Sequence, residues 1–125
     1  MSTWSANPPR SAQHVRREWT ALSSLPAAAE TFSPALAEDL PPAVRRWLRH
    51  SVHEAAPLAS TVWLRMRGQI RLGTWRPFIA TQVLVPAEGF IWSATAKMAG
   101  IPVLGYDMYF AGSGECADAW AVSYR

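Results

Sequence analysis

The chain has 125 residues, half of them apolar, with 12 basic residues against 9 acidic ones and a net charge of +3. This is one domain's length and not the composition of a disordered chain, and its single cysteine, Cys116, excludes an intrachain disulfide. No apolar run approaches the roughly 20 residues of a spanning helix, and Met1 to Arg10 lacks the apolar core of a secretory leader, so a cytoplasmic chain is expected.

Residues 1 to 34 read as an N-terminal helix and linker, and residues 35 to 125 as a helix followed by a sheet. Ser11 is placed to cap a helix running to about Ser23. Within it Val15, Trp19 and Leu22 recur at i, i+4 and i+7, which makes one apolar stripe. Leu25 to Ala35 holds Pro26 and Pro34 and reads as a linker. A second helix opens at Pro41 and Pro42, where a first turn tolerates a missing N–H. Glu38 and Asp39 stand at the positive end of its dipole. Val44, Trp47, Leu48 and Val52 form its expected buried stripe, and Arg45, Arg46 and Arg49 its solvated face.

Thr61 to Gly73 is the stretch around which the sheet is organised. Val62, Leu64, Met66, Ile70 and Leu72 alternate with Trp63, Arg65, Arg67, Gln69 and Arg71, the period of a strand with one dry and one wet face. Three further strands are expected, at about Arg76 to Val85, Phe90 to Met98 and Val103 to Ala111, with a last segment from Glu115. Gly73-Thr74, Pro86 to Gly89, Gly100 to Pro102 and Gly112 to Gly114 supply turns short enough for an antiparallel meander. From Cys116 the alternation fades, with Asp118 sharing a face with Trp120 and Val122. An exposed apolar last edge is then expected to seek a partner. The fold class is therefore α+β, with N-terminal helices and then a curved, half-barrel-like antiparallel meander packed around the second helix.

Leu40 to His50, Met66 to Phe78, Gly89 to Ala94, Gly105 to Tyr109 and Gly112 to Glu115 together resemble an uncharacterised bacterial family of unknown function, of a kind common in actinobacteria. The resemblance spans about residues 32 to 115. It implies a helix and a curved sheet similar to the half-barrels of lipoprotein carriers, and no established activity. Members of that family continue beyond the glycine turn with an arginine- and leucine-rich strand, which Cys116 to Arg125 does not match. A truncated or frameshifted end is therefore expected.

The chemistry-bearing residues are sparse. His50, His53 and Glu54 share a helix end, but a metal needs a third and fourth ligand and no further histidine is found downstream. Cys116 has no obvious histidine partner, no nucleophile elbow is present, and Glu88, Asp107, Glu115 and Asp118 sit at strand ends and turns. No cofactor is implied, and the chain reads as non-catalytic. Arg65, Arg67 and Arg71, with Trp63 and Arg76, form a basic stripe one strand wide. At so small a net charge this argues against nucleic acid and makes an anionic membrane surface a weak alternative. All basic residues but Lys97 are arginine, which fits a GC-rich genome as well as selection for bidentate anion contacts.

The remaining feature is the dry face, expected to combine Val62, Leu64, Met66, Ile70, Phe90, Trp92 and Met98 with Leu104, Tyr106, Met108 and Phe110. If the second helix fills it, it is a core; if not, it is a cleft for a lipid-like or other apolar small molecule. Met66, Gln82, Trp92 and Tyr106 are then the candidate lining, Gln82 being the polar group a ligand would satisfy. The different-class alternatives are a structural or interaction domain that self-associates through its open edge, and an inactive truncated fragment.

Overall fold

A computed structural model describes residues 7–26 and 28–119 of the chain. These fall into two compact units, one formed by the described residues up to Leu25 with those from Thr61 onward, and the other by those between Pro26 and Ser60.

In the first unit a 3-10 segment, Arg10–Val15, leads into helix α1, Arg16–Ser23. The stripe of Val15, Trp19 and Leu22 is buried as its spacing requires, with Ala12 continuing it upstream. In the second unit β1 (Ala28–Thr31) pairs antiparallel with β2 (Pro57–Ala59). The linker reading of Leu25 to Ala35 misses this short strand, as well as a 3-10 turn at Pro34–Ala37. Helix α2, Pro42–Ser51, begins at its proline as expected. Glu38 lies beside it and pairs with Arg45 at 3.4 Å and with Arg49 at 2.5 Å. These are exposed pairs, worth a few tenths of a kcal/mol to about 1 kcal/mol.

The expected burial of the α2 stripe is not found. Val44 is 42% and Trp47 64% exposed, and no residue of α2 is buried. The helix that makes the core is α1.

The sheet of the first unit contains β3 (Val62–Leu72), β4 (Thr74–Val85), β5 (Gly89–Met98), β6 (Ile101–Phe110) and β7 (Ser113–Ala119). The strands lie side by side in sequence order and every pair is antiparallel, so the meander is as read and the domain is α+β; the described strands form an open sheet, not a closed barrel. β7 pairs with β6 from Ser113 to Ala119, so pairing continues past Glu115 where the sequence pattern fades. Trp120 and Val122, with the rest of the expected tail, lie outside the described residues.

Register sets the faces. Trp63, Val83, Ile91 and Met108 stand opposite one another across four strands, and so do Arg65, Thr81, Ser93 and Tyr106. This face carries the helix: Ala12, Val15, Trp19 and Leu22 pack on Val83, Val85, Ile91 and Tyr106, with Trp63, Met108 and Phe110 at the margin. The helix therefore packs on the sheet face that also carries the arginines of β3, but over the central strands, where that face is apolar. The dry face of β3 is the one it leaves uncovered.

Leu104, Tyr106, Met108 and Phe110, expected on the dry face, lie on the other. Ala99 and Gly100 form a two-residue hairpin loop with φ of +50° and +84°, the signs a primed turn requires. A two-residue loop pairs Met98 with Ile101, an even position with an odd one. The even residues of β5 consequently share a face with Ile101, Val103, Gly105, Asp107 and Tyr109.

Candidate functional site

The helix-free face is tiered. Its middle row runs Met66, Ala80, Ala94, Gly105 across four strands. On one side stands the row Gly68, Phe78, Ala96, Val103, and on the other Leu64, Gln82, Trp92, Asp107. Small side chains thus form a floor, with a large aromatic on either side of it. Ala80 and Ala94 are buried although no helix of this unit lies on their face. The rings of Phe78 and Trp92 shelter them, meeting edge to face with centroids 6.0 Å apart. Gly68 makes room for this: a Cβ there would stand 3.0 Å from Cε1 of Phe78. What remains open is a cleft of about 60 Å³ lined by Ile70, Leu72, Phe78, Trp92, Ala96 and Val103 among others.

Of the four residues the sequence proposed, Met66, Gln82 and Trp92 share this face and are half-buried. Tyr106 is on the opposite face and is a core residue, 6% exposed. Its hydroxyl donates to Oε1 of Glu115 at 2.6 Å. Burial, then that hydrogen bond and the charges of Glu115 and Glu18, push its pKa up to about 12. It is no part of an apolar site on the free face.

Two residues of the free face escape the sequence reading. Phe78 is hidden because both faces of β4 are largely apolar. Arg76, read with the basic stripe, stands opposite Ile70 on the helix-free face, two residues before Phe78. Its Nε is buried and finds no hydrogen-bond partner among the described residues. Buried polar groups are nearly always satisfied, so an unpartnered one on this face stands out.

On the helix face, where the helix stops short of β3, lies a groove of about 580 Å³. Arg65 and Arg67 form one wall, Pro9 and Ser11 the other, and Ile79, Thr81, Ser93 and Thr95 the floor. The hydroxyls of Ser11 and Ser93 hydrogen-bond at 2.5 Å and fix the 3-10 segment to the sheet.

Among the described residues no group of three or more His, Cys, Asp or Glu side chains is placed to hold a metal ion, and no helix is long and apolar enough to cross a membrane. No curated protein and no solved structure matches the chain. Residues 30–120 match a family described as a family of unknown function, DUF6544, and that match extends five residues beyond the end of the resemblance read from the motifs. With well over half its length matched, the chain belongs to the DUF6544 family.

Proposed function

We propose that the chain is a non-catalytic binder of a lipid-like small molecule, held on the helix-free face by Met66, Phe78 and Trp92, with Gln82 and Arg76 at its polar margins. One observation carries this reading: a tiered apolar face with a small-residue floor that no helix of its own unit covers. The resting cleft is smaller than the several hundred Å³ of ordinary ligand sites, so the ligand enters by parting the two rings. Burying about 200 Å² of apolar surface contributes roughly 5 kcal/mol, which falls between millimolar and micromolar binding. A charge-assisted hydrogen bond from Arg76 adds about 1.5–3 kcal/mol, so an acid-headed amphiphile is favoured over a plain hydrocarbon. A cytoplasmic site of action fits the lone cysteine.

Native mass spectrometry of freshly purified chain is the test. The expected result is extra mass that organic solvent strips away and that a folded Met66→Arg variant no longer retains. Retention by that variant, or a folded chain that carries no extra mass and takes up no oleate, overturns the reading. A second reading rests on β3 and β7, each paired on one side only among the described strands. If an open edge recruits another copy, the chain self-associates as its concentration rises; a strict monomer excludes it.

A further inference from the structure

We propose that the groove between the N-terminal 3-10 segment and strands β3 to β5 is a second, separate binding site, and that it takes a small organic phosphate. Arg65 and Arg67 are two positions apart on β3, so their Cβ atoms rise from the same face roughly 6.6–6.8 Å from one another. That spacing lets two guanidinium groups converge on one tetrahedral oxyanion. Arg65 already has a partner in the structure. Arg67 makes no ion pair among the described residues, and it is the arginine a ligand's charge draws on. The residues lining the groove include no carboxylate, so nothing in its wall competes for that charge.

The donor set favours phosphate over carboxylate. Thr81 and Thr95 rise from the floor beside the arginines, Thr81 directly opposite Arg65 and Thr95 opposite Ile79, which itself faces Arg67. A carboxylate offers two oxygens and is filled by one guanidinium fork. A phosphomonoester presents three oxygens carrying up to two negative charges, so with two of them on the Arg67 fork a third is left for a floor hydroxyl, beside the charge of Arg65. The groove, at about 580 Å³, is also far larger than a phosphate ion. Ile79 lies in its floor and is 66% exposed, and Pro9 faces it from the wall. These supply apolar contact for an organic body attached to the phosphate. The Ser11–Ser93 hydrogen bond holds the far wall in place, so the site exists before the ligand arrives.

The test is calorimetric titration of the full chain with phenyl phosphate and with inorganic phosphate, alongside cosedimentation with vesicles of phosphatidylglycerol and phosphatidylcholine. Phenyl phosphate is expected to bind at least tenfold more tightly than inorganic phosphate. Arg67→Ala is expected to weaken it at least tenfold, and Arg67→Lys, which keeps the charge but loses the fork, to fall between. Arg67 is exposed, so these variants keep the wild-type melting temperature. Arg46→Ala, on the exposed side of α2 in the other unit, leaves binding unchanged. Equal binding by wild type and Arg67→Ala overturns the proposal, as does the absence of phenyl phosphate binding. Binding to phosphatidylglycerol vesicles without binding to phenyl phosphate overturns it in favour of a membrane surface. Because the groove and the apolar site lie on opposite faces, Arg67→Ala leaves any solvent-strippable mass in place.

Discussion

Phe78 and Trp92 meet edge to face across the small-residue row of the helix-free sheet face, their ring planes at 61°. Neither stands directly opposite the other; Phe78 faces Ala96 and Trp92 faces Gln82, so the contact is diagonal and exists because Ala80 and Ala94 leave the space between. Phe78→Ala removes a half-buried ring and uncovers that floor. It is expected to cost about 1–3 kcal/mol, below the 3–5 kcal/mol of a fully buried aromatic. In a double-mutant cycle with Trp92→Ala, the coupling is expected at about 0.5–1.5 kcal/mol. Chemical denaturation of the four proteins gives the answer, and strict additivity means the rings do not hold one another.

Burial of Tyr106, together with its hydrogen bond to Glu115, makes stability sensitive to alkali. The folded-state pKa of Tyr106, about 12, lies above the ordinary value of 10.0. Between those values the folded chain holds a proton that the unfolded chain has released, so unfolding is favoured as pH rises. The contribution is intact below about pH 10 and is lost progressively as pH climbs through 12. Tyr106→Phe removes this titration at a cost of about 1 kcal/mol at neutral pH, because the exposed Glu115 returns to water. Melting curves from pH 9 to 12 should converge for the two proteins; curves that stay parallel refute the assignment.

The strands are legible in the sequence because β3 alternates for its whole length and every turn is marked by glycine or proline. Face assignment fails at one place, and the reason is arithmetic. The connections after β3 and β4 hold one and three residues, so opposite residues keep the same parity, as in Leu72 with Thr74 and Val85 with Gly89. The loop after β5 holds two and reverses it, which carries Tyr106 away from Trp92. The signal is present in Ala99-Gly100, but a non-glycine residue at positive φ in the first loop position is uncommon enough to hide it. The choice between helices is harder. Both α1 and α2 carry an apolar stripe, and periodicity records that a face is apolar without recording what it meets. The groove is out of reach for a different reason: it depends on where the N-terminal segment stops relative to β3, a tertiary fact that no local pattern encodes.

Two tryptophans separate the helices. Trp19 is 1% exposed in the core, while Trp47 stands on α2 at 64%. Trp19→Ala is expected to cost about 3–5 kcal/mol, a large share of a small domain's stability. Trp47→Ala is expected to change stability by no more than about 0.5 kcal/mol, as surface substitutions do. Urea unfolding of both variants decides it. A large loss at Trp47 means that the apolar stripe of α2 is buried against something in solution.

Gly89 opens β5 at a φ of +149°, and a Cβ there would fall 1.9 Å from the carbonyl oxygen of Tyr109. That oxygen belongs to the paired backbone of β6 and cannot swing aside as a side-chain tip would. Gly89→Ala therefore combines an unfavourable backbone conformation with a collision inside the ladder, and is expected to cost about 2–4 kcal/mol. Gly112 provides the control. It also has a positive φ, +84°, but open space around its Cβ position. Gly112→Ala should cost only the conformational part, about 1–2 kcal/mol. Thermal or urea denaturation of the two variants gives the excess loss at Gly89, which combines its stricter backbone region with the collision, and equal losses would mean that β5 and β6 can separate at Gly89 without penalty.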